Sequence, residues 1–256
     1  MRIRPSAASA LLLAAALVPC AAGTAGASAL ATSVATFGPA TTAHGSSGIH
    51  PDDSNWGGYV AQGSFSSISG SWTEPQVTCN SSNDLFAPWV GLDGYGSGSV
   101  EQTGVQTDCS SGRPVLSAWY EMYPASPVYW NDPVSEGDSM TASVVSDGGG
   151  NYSLTLTDNT QGWTEKTDQS YAGQNASAEA VIESPTSSYP SFGSLSFSGV
   201  TVDGRPFSDA GPSALDSGGY VPGPLSGGDF TISPGGAAVG AHSGGAGQTA
   251  RQNIRY

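Results

Sequence analysis

The chain has 256 residues, with 7 lysines and arginines against 21 aspartates and glutamates, a formal net charge of −14 at pH 7. That length suits one sizeable domain or two small ones, and the acidic balance excludes nucleic acid and anionic membrane as partners, since both would repel it. Only 11% of the residues are charged, against about 25% in ordinary domains, so neutralising the carboxylates in acid leaves little unbalanced positive charge and the composition fits an acid-tolerant protein.

Taken from the amino end, the first residues read as a targeting signal. Arg2 and Arg4 form a basic start, Ala10 to Val18 is an apolar run, and Ala27-Ser28-Ala29 offers a small-residue cleavage site. Residues 1–29 are therefore expected to be a secretory signal peptide, and the protein to be secreted and extracellular. No later stretch approaches a transmembrane span. Cys20 leaves with the signal, and Pro19 before it argues against a lipoprotein cysteine. Cys79 and Cys109 then form an even pair in an oxidising compartment, where a disulfide would contribute roughly 3–4 kcal/mol.

Residues 30–50 are rich in Ala, Thr, Ser and Gly with no periodic apolar face, and read as a short propeptide or linker. From Asn55 the pattern is β throughout: short segments rich in Val, Tyr, Trp and Thr between Gly/Ser/Asp/Asn turns. The spacing predicts an all-β domain over 51–233, an antiparallel two-sheet β-sandwich of the concanavalin or jelly-roll kind, with little helix. Trp89-Val90-Gly91-Leu92 reads as a buried-edge strand, followed by a Gly/Ser bend and a second strand carrying Gln102. Two hairpins are signalled, one through Asp147-Gly-Gly-Gly and one through Asp203-Gly204. Residues 234–256 read as a flexible Gly-rich tail.

Period two assigns faces. Leu116, Ala118, Tyr120 and Met122 share one side of a strand, and Trp119, Glu121 and Tyr123 the other. Ala178, Ala180 and Ile182 read as core, with Glu179, Val181 and Glu183 facing away. Aromatics and carboxylates on a shared face suggest a binding surface. Histidine usage narrows the chemistry, because His44 and His50 follow the signal and His242 lies in the tail. A Ser–His–Asp or Cys–His site needs a well-held imidazole, and a zinc hydrolase needs two or more. Any enzyme here works with carboxylates, amides and hydroxyls. On pattern alone, Gln102 is either an exposed strand residue or a neutral donor held where charge develops.

Five segments carry a resemblance: SNWGGYV (54–60), SGSWTEP (69–75), WVGLDGYGSGSVEQTG (89–104), AWYEMYP (118–124) and SAEAVIE (177–183). In this order they resemble the signature segments of the glutamic peptidases (eqolisins, scytalidoglutamic-peptidase-like). The resemblance implies an endopeptidase active in acid that acts on protein or peptide substrates as a monomer, without cofactor or metal. It places the family's catalytic glutamine on Gln102 and its glutamate on Glu183. Trp56, Trp89, Asp93 and Glu121 fall on supporting or substrate-side positions. In that reading Glu183 takes a proton from water and later gives it to the leaving amine, while Gln102 stabilises the oxyanion. Glu121 or Asp93 near Glu183 would raise a pKa by like-charge repulsion. Glu179 is the competing carboxylate, about 13 Å from Glu183 along the strand, with a supporting or solvated role.

Ala180 departs from the family, which has Trp there; face alternation puts it opposite Glu183, so packing changes and the dyad does not. The lone Asp216-Ser217-Gly218 reads as a turn. Two further classes stay open: a β-sandwich glycoside hydrolase using the carboxylate pair Glu121 and Glu183, and a non-catalytic carbohydrate- or protein-binding sandwich.

Overall fold

The computed structural model describes residues 35–40 and 54–235. The signal peptide expected at 1–29 lies outside the described residues, as does the expected tail from 236 onward. The strands in chain order are β1 (Trp56–Gln62), β2 (Ser67–Thr73), β3 (Val77–Thr78), β4 (Leu85–Leu92), β5 (Val100–Asp108), β6 (Val115–Tyr123), β7 (Val128–Tyr129), β8 (Ser139–Ser146) and β9 (Asn151–Asp158). They continue with β10 (Trp163–Ser170), β11 (Ser177–Glu183), β12 (Ser191–Phe192), β13 (Leu195–Val202), β14 (Arg205–Pro206), β15 (Ser213–Leu215), β16 (Tyr220–Pro222) and β17 (Phe230–Pro234). Among the described residues the helical content is a four-residue 3-10 turn, Phe207–Ala210.

Two large sheets form the sandwich. One has seven strands in the order β15-β1-β11-β4-β5-β6-β7. The other has eight, β10-β9-β8-β2-β13-β17-β16 with β14 paired to β13, and β12 pairs β3 separately. Every pairing is antiparallel. Both expected hairpins form, β8–β9 and β13–β14. Ser217 and Tyr220 exchange main-chain hydrogen bonds, which makes the stretch after Asp216 a turn.

Alternation explains the main core. Met140, Ala142 and Val144 of β8 and Tyr152, Leu154 and Leu156 of β9 point inward, and they share one cluster with Phe86, Val90, Leu92, Ala178, Ala180 and Ile182 of the seven-stranded sheet. Burying each large apolar side chain contributes on the order of 1.5–3 kcal/mol. On edge strand β10 the alternation runs half-buried to exposed, and a surface pair, Lys166 to Asp168 at 3.3 Å, charges that edge against pairing with another chain.

β4, β5 and β11 are buried at every position, because the sheet's outer face is also covered. There Trp56, Val60, Leu85, Ala87, Trp89, Val100, Trp119 and Val181 cluster with Phe37 of the 35–40 segment. The strand of Trp89 is not an edge: β4 lies between β11 and β5. Its second neighbour is supplied some ninety residues later in the chain, a pairing that no local pattern announces. Cys79 and Cys109 form a disulfide across a separation of 30 residues, closing a loop that contains the whole of β4 and β5.

Candidate active site

Strand register assembles the outer face. Cross-strand neighbours form one row, Glu179–Gly91–Gln102–Glu121, and a second, Val181–Trp89–Gly104–Trp119. Nearer the far end of β11, Trp56 of β1 stands beside Glu183 and Glu183 beside Ala87. The faces follow the period-two expectation: Ala178, Ala180 and Ile182 lie in the inter-sheet core, and Val181 and Trp119 in the outer cluster. Glu179 and Glu183 nevertheless do not face solvent, since both are buried.

Gln102 and Glu121 are direct neighbours, and Gln102 Nε2 donates to Glu121 Oε2 at 3.1 Å. Trp56 Nε1 donates to Glu183 Oε2 at 3.0 Å and Asn55 Nδ2 to Oε1 at 2.9 Å. The Trp56 ring meets Trp89 edge-on at 4.9 Å. Two glycines make room. A Cβ on Gly104 would stand 2.2 Å from the Pro88 oxygen and 2.6 Å from Trp89 Cβ. Gly94 has φ +99°, and a Cβ there would stand 2.7 Å from the Trp56 ring. Without these gaps β4 and β5 could not close beside Gln102, nor could Trp56 reach Glu183.

A main-chain peptide joins the two halves. Gln102 Nε2 donates to the Phe37 carbonyl oxygen at 2.6 Å, and the next amide, Gly38 N–H, donates to Glu183 Oε1 at 3.2 Å. The site thus holds one peptide bond with an amide donor on its oxygen and a carboxyl on its nitrogen. Among the described residues the Oε1 atoms of Gln102 and Glu121 accept no hydrogen bond.

Burial sets the electrostatics. It pushes the Glu121 carboxyl up to about 8, against the opposing hydrogen bonds from Phe37 N–H and Gln102. It lifts Glu183 well above the ordinary carboxylate range; Asn55 and Gly38 pull the other way, and the nearby Glu121 adds to the rise. These are the directions expected of desolvation and a like charge.

Trp56, Trp89, Gln102, Glu121 and Glu183 are therefore brought to one face. Asp93 is not brought beside Glu183. Its carboxylate accepts the N–H groups of Gln174, Asn175 and Ala176, and its electrostatic neighbours are Glu101 and Glu179. The like-charge neighbour of Glu183 is Glu121 alone of the two carboxylates expected there. Asn55 is a site residue that the sequence reading passed over. The sole hint was its place directly before Trp56, and its amide reaches Glu183 because it precedes the strand and escapes period two. Phe37 was also passed over, although it is the one aromatic residue before Trp56.

A sheet face that holds a peptide bond between an amide donor and a buried carboxyl, on a two-sheet sandwich, is an arrangement compatible with a peptide-bond hydrolase that needs no imidazole. A profile of the Peptidase A4 family matches residues 54–214, and the chain belongs to that family, the eqolisins; it is a glutamic-type peptidase. The solved structure of scytalido-glutamic peptidase with a transition state analog inhibitor is 26% identical with a TM-score of 0.62, over 70% of this chain and 98% of that one. Aspergilloglutamic peptidase from Aspergillus niger is 27% identical with a TM-score of 0.51, over 59% of this chain and 99% of that one. SCP-B, an eqolisin solved with the tripeptide Ala-Ile-His, shares the fold at 24% identity and a TM-score of 0.55 over 70% of this chain and 98% of that one. No curated protein sequence matches the chain. Family membership sets aside the glycoside hydrolase and the non-catalytic sandwich.

Proposed function

We propose that this glutamic peptidase is a secreted, acid-acting endopeptidase with Gln102 and Glu183 as its catalytic dyad. The observation that carries the proposal is the single peptide bond with its oxygen on Gln102 Nε2 and its nitrogen on Glu183 Oε1. Water adds to the carbonyl carbon while Glu183 takes its proton. The oxyanion forms where Gln102 Nε2 already donates, and an amide keeps that donor at every pH. Glu183 then passes the proton to the amide nitrogen and the C–N bond breaks. Asn55 and Trp56 fix the carboxyl in place, and Glu121 holds both the Gln102 amide and the N–H on the acyl side. The signal-like amino terminus supports secretion. The few lysines and arginines, which leave little positive charge to repel itself once the carboxyls are protonated, support work in acid.

Digestion of denatured casein in acid tests this reading. Gln102→Ala should lower kcat by about 10²–10³-fold, as loss of one oxyanion donor does in a comparable hydrolase, and Glu183→Gln should abolish cleavage with the far-UV spectrum unchanged. Undiminished activity in either folded variant overturns it.

A further inference from the structure

Beyond Glu183, where the seven-stranded sheet ends, lies a cavity of about 260 Å³ lined by Ser54, Asn55, Ser184, Ser187, Tyr189 and Ser217. Register puts it there. Trp56 pairs with Glu183, so the residues before Trp56 and after Glu183 meet past the strand ends, and Ser184 N–H donates to Asn55 O at 3.4 Å. The turn at 217–220 closes another side: Tyr189 Oη and Ser217 Oγ share a hydrogen bond at 2.8 Å, and Tyr189 Oη donates to Asn55 O at 3.4 Å. Gly218 completes the lining. Its φ is +56°, and a Cβ there would stand 2.4 Å from the Tyr189 ring, so glycine lets the turn lie against that ring.

The polar side chains around the cavity are hydroxyls and one amide, with neither a cation nor a carboxylate among them. Burial raises the Tyr189 phenol against its Ser217 hydrogen bond, and nearby Glu183 adds to the rise, so the phenol keeps its proton in acid. The volume suits one long side chain and falls short of the roughly 300–1,000 Å³ of a small-molecule site.

Asn55 stands between the cavity and the catalytic face. Its Nδ2 holds Glu183 Oε1 at 2.9 Å and also donates to the Pro39 carbonyl oxygen at 3.3 Å. Pro39 is the second residue on the amine side of the peptide bond held between Gln102 and Glu183. A substrate following that path carries its second amine-side residue alongside Asn55, with the cavity next to it. We infer that this cavity is the subsite for that residue and selects an uncharged polar side chain, glutamine before all others. The inference rests on the dyad assignment above, which fixes the scissile bond. A hydroxyl both donates and accepts, so the lining meets the oxygen and the NH2 of an amide side chain together. Leucine would strip water from these hydroxyls and return no hydrogen bond. Lysine would enter with no counter-charge in the lining.

The test is a set of internally quenched peptides that differ only at the second residue after the scissile bond, cleaved in acid by the full chain. Glutamine should exceed leucine by roughly 10- to 30-fold in kcat/KM, the equivalent of one or two neutral hydrogen bonds. Tyr189→Phe combined with Ser217→Ala removes both partners of one hydrogen bond, so neither is left orphaned, and the glutamine-to-leucine ratio should fall to about 3 or less. Ser187→Asn gives a second route that does not touch a buried hydroxyl. Ser187 is exposed at φ +57°, a conformation asparagine adopts readily, and the longer side chain narrows the cavity. It should move the preference from glutamine toward serine. Equal rates for glutamine and leucine in wild type, or a preference that neither variant moves, overturns the inference and leaves the dyad standing. Cleavage of the same peptides by Glu183→Gln overturns the dyad itself.

Discussion

Glu183 is a buried carboxyl whose usefulness depends on what donates to it. Asn55 Nδ2 at 2.9 Å and Trp56 Nε1 at 3.0 Å oppose the penalty of burial. Removing the Asn55 donor should raise the Glu183 pKa further, because the hydrogen bond favours the charged form. Asn55→Ala is therefore expected to lower kcat by about 10–100-fold, the equivalent of a hydrogen bond to a charged group. It should also move the acidic limb of the kcat–pH profile to higher pH. A profile that falls uniformly without moving would show that Asn55 serves packing alone. Gly104 is constrained differently. Gly104→Ala would drive a methyl group into Pro88 O and Trp89 Cβ at 2.2 and 2.6 Å, backbone and near-backbone atoms that cannot step aside. The expected cost is on the order of 1–3 kcal/mol or more, read as a lowered midpoint in thermal unfolding.

At the scale of elements, the hairpin β4–β5 carries Trp89 and Gln102, and the Cys79–Cys109 disulfide closes the loop around it. A closed loop of this size stabilises the chain by about 3–4 kcal/mol in the entropy model. Replacing both cysteines with serine should lower the unfolding free energy by that amount in urea titrations, and the m-value should rise as the unfolded chain expands. β11 supplies a second case. Ala180 lies fully buried in the inter-sheet core, paired with Tyr59 and Val90 across the neighbouring strands. Position 180 thus lies on the opposite face of β11 from Glu179, Val181 and Glu183, so a change of side chain there acts on the inter-sheet core.

The molecule as a whole buries an unusual number of carboxyls. Burial, with Asp138 and Asp158 nearby, pushes Glu74 up to about 8 against its hydrogen bond from Trp72. Burial and Asp93 push Glu101 up to about 8. Glu121 rises to about 8, and Glu179 and Glu183 rise well above the ordinary range, burial leading in each. A carboxyl with a raised pKa in the folded state binds its proton more tightly there than in the unfolded chain. Its contribution to stability is fully present below the unfolded value near 4.5 and is lost as pH rises toward 8. Each such group is worth on the order of a few kcal/mol across that window. The Glu183→Gln variant, which lacks the proposed catalytic carboxylate, should therefore show its highest Tm near pH 4 and a steady fall to pH 8. A flat or rising curve would contradict the burial of these groups. The scarcity of lysine and arginine works in the same direction, since little positive charge is left to repel itself in acid.

The amino-acid sequence by itself determined the β-class, the hairpins, the two faces of β6 and β11 and the cysteine pair, because each rests on local periodicity or on simple counting. Its Trp-containing segments also indicated the family and pointed to Gln102 and Glu183. Tertiary structure decided what lies between them. The central place of β4, the position of Asp93 beside Glu101 and Glu179 and away from Glu183, and the reach of Asn55 all depend on pairings between distant strands. The place of residues 35–40 was the least legible. A segment bound in a cleft takes its conformation from the partner surface, so it needs no apolar period of its own, and Phe37 gains its meaning only when Trp119, Gln102 and Glu183 stand around it.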